Sequence, residues 1–157
     1  VEAKGRRMMA VLKGTLIGHE GTIAGIESIA FAPDGKTVAS ASIDGIRLWN
    51  VETMEETCWV DEHECRVSAI AYSPNGKTLV SASYDFSIKV WDLSGEMPVV
   101  KGTLQGHGDG VYHIDFSPDG QTIASADDKT VKLWDVGAMV KGVEEMGTPS
   151  QGHSRSV

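Results

Sequence analysis

The chain of 157 residues has few of the residues that mark several common classes of protein. Its two cysteines, Cys58 and Cys65, are too few for a disulfide framework, so an intracellular, cytoplasmic setting is expected. No run of about 18 apolar residues is present, and we expect no membrane association. Lysine and arginine number 14 against 22 acidic residues, and the net charge of −8 disfavours a nucleic-acid partner.

Short motifs that bind phosphates or carry nucleophiles are also missing. The sequence has no glycine-rich phosphate loop and no nucleophile elbow, so we expect no cofactor. Cys58, His63 and Cys65 are close together and are possible zinc ligands by residue type. They lack the CxxC spacing of a zinc knuckle, and no fourth ligand is evident. We therefore expect neither a metal site nor a disulfide in this segment.

Glycine, by contrast, is abundant, with 18 residues that lie mostly at turns between short apolar stretches. Three stretches are alike: FAPDGKTVASASIDGIRLWN from Phe31, YSPNGKTLVSASYDFSIKVW from Tyr72 and FSPDGQTIASADDKTVKLWD from Phe116. In the third, Pro118 presets φ for a turn, Asp119 can bond its own backbone and Gly120 supplies a positive φ. The pattern predicts short strands joined by tight turns.

Two independent sets of anchors show that the whole chain is repetitive. Histidines recur at steps of 44, 44 and 46 residues, and tryptophans at steps of 42 and 43. The anchors are His19, His63, His107 and His153, and Trp49, Trp91 and Trp134. A unit of about 40–45 residues that opens with GH and closes with WD is typical of four-stranded propeller blades.

Each unit contains three clear strand patterns and a weaker fourth. In the third unit we predict strands over 111–116, 123–126 and 131–134, and the weaker fourth strand is clearest at 98–104 of the second unit. The middle strands TVASAS, TLVSAS and TIASAD are rich in alanine and serine. Small side chains there favour sheets that pack face to face at about 10 Å. Helices are not expected, because a 3.6-residue periodicity is absent.

On these residues the chain resembles the WD-repeat (WD40) β-propeller family over nearly its whole length. GH, SPDG, SAS, a turn aspartate and WD recur in that order. The resemblance implies an all-β fold of three blades, each a four-stranded antiparallel sheet. It places the repeats at residues 19–62, 63–106 and 107–152.

The resemblance also implies a hydrogen-bonded structural set of four side chains in every blade. The three sets are His19, Ser40, Asp44 and Trp49; His63, Ser81, Asp85 and Trp91; and His107, Ser125, Asp128 and Trp134. The turn before the third strand is one residue shorter in the first and third repeats than in the second. In the third repeat this leaves Asp127 as the alternative to Asp128.

A hydroxyl, an imidazole and a carboxylate in each set also suggest a catalytic triad. An active site occurs once in a chain, however, whereas these groups recur with the period of the fold and accompany a tryptophan each time. We therefore expect a structural role for all three sets, no catalytic residue and no enzymatic activity.

Partner binding is expected on the loops. Tyr84 and Phe86 flank Asp85 in a turn where small or polar residues are usual, and exposed aromatic residues are frequent interface anchors. Four other candidates occupy matching places near the start of each first strand, which by resemblance lies on the face that meets partners. These are Glu27, Arg66, Ser68 and Tyr112, and Asp127 completes the candidate set.

The sequence thus predicts a non-enzymatic scaffold that binds other proteins or peptides. The alternatives are an architectural subunit of a large assembly, a propeller enzyme and a nucleic-acid reader. KGTLIGH at 13–19 matches KGTLQGH at 101–107, which predicts that residues 1–18 carry the outer strand of a preceding blade. Residues 153–157 resemble the start of a fourth repeat. We expect further blades from a longer chain or self-association.

Overall fold

A computed structural model of the chain describes residue 5 and residues 8–21 and 25–141. In this part of the chain, eleven strands form three sheets, and one short helix follows the last strand. The elements are β1 (Ser28–Phe31), β2 (Thr37–Ser42), β3 (Gly45–Asn50), β4 (Glu56–Val60), β5 (Val67–Tyr72), β6 (Thr78–Ser83), β7 (Ile88–Asp92), β8 (Val99–Leu104), β9 (His113–Phe116), β10 (Thr122–Ala126), β11 (Val131–Asp135) and α1 (Gly137–Lys141).

Within each sheet, strands that follow one another in sequence pair, and every pair is antiparallel. Strands β1–β4 form the first sheet, β5–β8 the second, and β9–β11 the third. The expected all-β fold of antiparallel sheets is confirmed. The fourth strand expected in the tail of the third repeat is not seen in the described residues. Gly137–Lys141 is helical there, and residues 142–157 lie outside the described part.

The turn between the first two strands of each sheet has the predicted construction. Gly35, Gly76 and Gly120 have φ angles of 69°, 73° and 71°, in the left-handed region that a residue with a Cβ rarely adopts. In the third sheet, Asp119 Oδ1 accepts a hydrogen bond from the Gln121 N–H at 3.0 Å. This local bonding ends one strand and reverses the chain into the next.

The core lies between the sheets, and the second sheet is buried on both faces. Small residues allow the close approach, because Ala39, Ala41 and Ala82 are fully buried. The cluster between the first and second sheets contains Ala39, Ala41, Ile46, Val67, Ile70, Leu79 and Trp91. The cluster between the second and third sheets contains Val80, Ala82, Ile88, Val90, Val111, Phe116, Ile123 and Val136.

The outer face of the third sheet is apolar and open. Val131 and Leu133 of β11 are 71% and 72% exposed. Their equivalents by strand register in the second sheet, Ile88 and Val90 of β7, are fully buried against the third sheet. The same positions therefore carry the same kind of side chain, and only the presence of a neighbouring sheet decides whether it is buried.

The outer strand expected within residues 1–18 is not formed in the described residues 8–18. A strand is stabilised by hydrogen bonds to a neighbouring strand, and the described structure places no strand beside this segment. The segment instead crosses the outer face of the first sheet at Gly18. A Cβ there would lie 2.7 Å from the Trp49 ring, so glycine permits the contact that covers this tryptophan.

Candidate functional site

A chain of hydrogen bonds connects four side chains inside the second sheet. The Trp91 indole Nε1 lies 2.8 Å from Ser81 Oγ, which lies 2.7 Å from His63 Nε2. His63 Nδ1 lies 2.8 Å from Asp85 Oδ2. An indole N–H can only donate and an ionised carboxylate can only accept. The Ser81 hydroxyl therefore accepts from Trp91 and donates to His63, whose Nδ1–H donates to Asp85.

The first sheet repeats this arrangement. Trp49 Nε1 donates to Ser40 Oγ at 2.7 Å, and Ser40 Oγ lies 2.6 Å from His19 Nε2. His19 Nδ1 lies 2.5 Å from Asp44 Oδ1, and the second carboxylate oxygen accepts from the Glu20 N–H at 2.9 Å. The structure thus brings together all four side chains expected in this sheet.

The third sheet corrects the sequence prediction at one position. Trp134 Nε1 and His107 Nε2 lie 2.8 Å and 2.6 Å from Ser125 Oγ, but His107 Nδ1 contacts Asp127 Oδ2 at 2.7 Å. The assignment of Asp128 to this set is wrong, and Asp127 takes the role.

Turn geometry explains the correction. Asp44 and Asp85 each lie four residues after their serine, whereas Asp127 lies two residues after Ser125. In the shorter third turn, Asp127 Oδ1 accepts from the N–H groups of Lys129 and Thr130, at 2.9 and 2.7 Å. These bonds aim the other carboxylate oxygen at His107.

Burial and hydrogen bonding determine the protonation states in these sets. Burial lowers the pKa of His63, and the Asp85 carboxylate only partly offsets it. Burial alone would raise the pKa of Asp85, but hydrogen bonds from Ser87 and His63 outweigh it and lower that pKa. A neutral His63 imidazole can accept from Ser81 at Nε2 and donate from Nδ1 to the ionised Asp85 carboxylate.

The serine hydroxyls of these sets are closed to a substrate. Ser81 is fully buried, and Ser40 and Ser125 are nearly so. Each hydroxyl is already engaged on both sides, by a tryptophan and by a histidine. The three sets can therefore hold sheets together, but none presents a nucleophile to the surface.

A cleft of about 610 Å³ lies beside the predicted binding residues, at the starts of the first strands. We call it the three-sheet cleft, because all three sheets supply its walls. Its lining includes Glu27, Ser68, Tyr84, Tyr112, Asp127 and Asp128. Five of the seven candidate partner-binding residues are among these six.

Arg66 and the two tyrosines form a contiguous cluster beside this cleft. The Arg66 guanidinium lies over the Tyr84 ring at 3.8 Å from its centroid, and its Nη1 lies 3.4 Å from Glu27 Oε1. Tyr84 meets Tyr112 edge to face, with ring centroids 5.0 Å apart at 82°. The structure thus joins residues that are up to 85 positions apart in sequence, from Glu27 to Tyr112.

Two candidate residues have surroundings that the sequence did not indicate. Ser68 is buried, and its hydroxyl lies within hydrogen-bonding distance of the carbonyls of Ala82 and Val111, so it connects the second and third sheets. Phe86 is 45% exposed and has a φ of 72°, which is rare for a residue with a Cβ. Phe86 does not line the three-sheet cleft.

Cys58 and Cys65 are both free thiols, the first buried and the second exposed. Burial raises the pKa of the Cys58 thiol, and the charge of Glu56 adds to the effect. Across the described residues, no cluster of three or more histidine, cysteine or acidic side chains is arranged to hold a metal ion. Helix α1, the one helix in that part of the chain, is far too short to cross a membrane.

Sequence reasoning missed a second cationic–aromatic contact. Arg47 lies 5.4 Å from the ring centroid of Trp59 and forms ion pairs with Asp44 and Glu56. Trp59 is 48% exposed and donates from its indole N–H to the Asp44 carbonyl. The sequence does set Trp59 apart, because it is the only one of the four tryptophans that does not recur with the repeat.

Comparison with known proteins agrees with this geometry. The family model described as "WD domain, G-beta repeat" matches three times, over residues 10–50, 55–92 and 99–135. The solved structure of U3-55K superposes with a TM-score of 0.67 at 26% identity, covering 74% of this chain and 38% of that one.

Curated relatives include proteins of plants and animals. The chain is 33% identical to the transcriptional corepressor LEUNIG_HOMOLOG of Arabidopsis thaliana, over 69% of this chain and 14% of that protein. It is 35% identical to human Striatin-4, over 71% and 18% of the two chains. It is 28% identical to the serine-threonine kinase receptor-associated protein of Gallus gallus, over 82% and 35%. The chain thus spans about a third of these relatives or less.

Proposed function

The chain belongs to the WD40 repeat family, and from this premise we propose that it is a non-enzymatic scaffold that binds other proteins or peptides. We place the binding surface at the three-sheet cleft. The observation that carries this proposal is the cluster of Arg66, Tyr84 and Tyr112, in which large side chains with polar ends meet at an open cleft. Arginine and tyrosine dominate the energetics of protein interfaces.

The internal side-chain sets support the non-enzymatic part of the proposal. A triad that catalyses acyl transfer needs a hydroxyl that reaches its substrate. Ser40, Ser81 and Ser125 are buried and bonded on both sides. The acidic net charge of −8 argues against a nucleic-acid reader in the same way, because the phosphate backbone selects basic surfaces. Two free cysteines fit a protein that works inside the cell.

Capture of partners from cell extract tests the scaffold proposal. The wild-type chain, immobilised on beads, should retain a defined set of proteins, and Tyr84→Ala, Tyr112→Ala and Arg66→Ala should each reduce that retention. Trp59→Ala is the control, since it removes an exposed aromatic side chain that does not line the cleft. If the three cleft variants remain folded and retain partners as well as the wild type does, the binding surface lies elsewhere.

A second candidate function is architectural, and the open end faces favour it. Ile29 and Phe31 of β1 are 69% and 62% exposed, although Ile70, the equivalent of Ile29 in β5, is buried against the first sheet. Val131 and Leu133 are exposed on the outer face of the third sheet. The row of three sheets therefore has an apolar outer face at each end. Inside the chain, the equivalent faces of neighbouring sheets pack on each other and form the core clusters. We infer that both ends bind further blades, from additional polypeptide or from a second copy.

Light scattering on the purified chain tests the architectural candidate. The wild type alone should associate or aggregate, because exposed apolar patches of this kind drive self-association. The double variant Phe31→Glu with Leu133→Glu should stay monomeric and keep its fold. A wild-type chain that is monomeric, does not aggregate and unfolds cooperatively would contradict this candidate. In extract, an architectural subunit should recover one fixed complex, whereas a peptide-binding scaffold should recover proteins that share a short motif.

A further inference from the structure

We propose that the three-sheet cleft receives a cationic side chain, an arginine or a lysine carried on a basic peptide segment. This inference rests on the proposed scaffold function and specifies the class of partner. It follows from the charges, the aromatic surfaces and one intramolecular contact at the cleft.

The ionised side chains that line the cleft are carboxylates, and the one arginine close by, Arg66, lies beside the lining. Three carboxylates line the cleft, from Glu27, Asp127 and Asp128, and none of the described lining residues is a lysine or an arginine. Asp127 is engaged by His107 and Thr130, and Glu27 faces Arg66. Asp128 is exposed and forms no hydrogen bond or ion pair with any described residue. One carboxylate at the cleft is therefore available to a ligand.

The aromatic rings add a second source of attraction for a cation. Tyr84 and Tyr112 stand nearly perpendicular, at 82°, and form a corner in the cleft wall. The face of an aromatic ring carries partial negative charge and attracts a guanidinium or an ammonium group. The pKa of Tyr112 is raised, first by desolvation and then by the charges of Asp128 and Asp109, and the charge of Arg66 partly opposes this shift.

Arg66 shows that this combination of groups accommodates a guanidinium. Its side chain is partly exposed, stacks on Tyr84 and approaches Glu27. Tyr112 and Asp128 also line the cleft and provide the same pair of groups, a phenol ring and a carboxylate. Within the described residues, no cation of the chain itself pairs with Asp128, so a partner's side chain can occupy that position.

Small amino-acid amides provide the first test. An isotopically labelled chain is titrated with N-acetyl-arginine amide, N-acetyl-lysine amide and N-acetyl-citrulline amide, and amide chemical shifts are followed by NMR. The two cations should cause saturable shifts centred on Tyr84, Tyr112 and Asp128. Citrulline has nearly the shape of arginine without its charge and should cause none at equal concentration. Equal shifts with citrulline, shifts centred elsewhere, or no saturable shift up to the solubility limit would each overturn the proposal.

Charge-matched variants provide the second test, with an alanine pentapeptide that carries one central arginine as the probe. Asp128→Asn should weaken its binding by about threefold to fivefold, the size expected from losing one exposed cation–carboxylate contact. Glu52→Gln removes an equal charge at a separate depression beside Lys36 and should change binding by no more than about twofold. Equal losses in the two variants would show only a general charge effect and would overturn the proposal.

The two levels of proposal fail in different ways. If partner capture depends on Tyr84 and Tyr112 while citrulline replaces arginine without loss, the scaffold function stands and the cationic-ligand inference falls. If the arginine amide binds at Asp128 but extract yields no partner that depends on the cleft, the ligand chemistry stands and the scaffold proposal fails.

Discussion

The Ser81 hydroxyl connects Trp91 to His63 inside the second sheet, and all three side chains are buried there. Because the tryptophan fills the core and also donates a hydrogen bond, its loss removes packing and leaves a polar atom without its donor. The sets of side chains that resemble triads are therefore expected to control stability.

Trp91→Ala should lower the free energy of unfolding by about 3–5 kcal/mol, the usual cost of removing a buried large aromatic side chain. Ser81→Ala should cost less, about 1–3 kcal/mol, by leaving buried partners unsatisfied. Trp59→Ala, at a half-exposed tryptophan, should cost about 1 kcal/mol or less. Chemical denaturation measures all three, and a Trp91→Ala protein with an unchanged midpoint would refute the structural role of the set.

Asp127 and Asp128 are adjacent acidic residues with different roles. Asp127→Asn should destabilise the chain, because the Asp127 carboxylate holds His107 and accepts two backbone hydrogen bonds. Asp128→Asn should leave the denaturation midpoint within experimental error, since Asp128 is exposed and unpaired among the described residues. If Asp128→Asn lowered the denaturation midpoint more than Asp127→Asn did, Asp128 would be the member of the set.

Acid should destabilise the chain in two stages. The pKa of His63 is lowered below its ordinary 6.5, so the unfolded chain takes up this proton more readily, and stability falls as the pH drops below about 6.5. The pKa values of Asp44 and Asp85 are lowered below 3.8, so their contribution is present above that value and is lost as the pH falls through the lowered values.

Denaturation midpoints measured between about pH 7 and about pH 2 check both stages. His63→Gln should diminish the upper stage and leave in place the part of the lower stage that Asp44 contributes. A wild-type midpoint that stays constant between about pH 7 and pH 5 would show that His63 is not held neutral by burial.

Among the elements, β7 and β11 are equivalent strands in different surroundings. Val90 of β7 is fully buried between the second and third sheets, whereas Leu133 of β11 faces outward and is 72% exposed. Val90→Ala should therefore cost about 2 kcal/mol of stability. Leu133→Ala should cost about 0.5 kcal/mol or less in dilute monomer, although it removes more side chain. Equal losses would mean that the outer face of β11 is covered in solution.

For the whole molecule, sheets that contact only their neighbours should differ in local stability. The second sheet packs on both sides, whereas the first and third each have one open face. In such arrays stability is roughly a sum of unit and interface contributions. Amide hydrogen exchange should therefore be slowest in β6 and β7 and faster in β1 and β11. Fastest exchange in β6 would contradict this account.

Much of the fold could be predicted from the sequence because its determinants are local or periodic. The turn at Pro118–Gly120 depends on adjacent residues, and the strand patterns recur with the histidines and tryptophans. In the first two sheets, the His–Ser–Asp–Trp sets that form are those that the resemblance to the family implies. In the third sheet two aspartates were open, and the hydrogen bonds of a shorter turn select Asp127 over Asp128.

The sequence alone therefore determined the repeat and the all-β architecture, because these depend on local turn chemistry and on a regular period. Only the tertiary structure decided that Arg66 stacks on Tyr84, that Ser68 connects two sheets, and that Leu133 is exposed where Val90 is buried. These outcomes depend on which sheets are neighbours, across separations such as the 43 residues between Ser68 and Val111. A local pattern carries no information about such contacts, since they arise only when the sheets pack together.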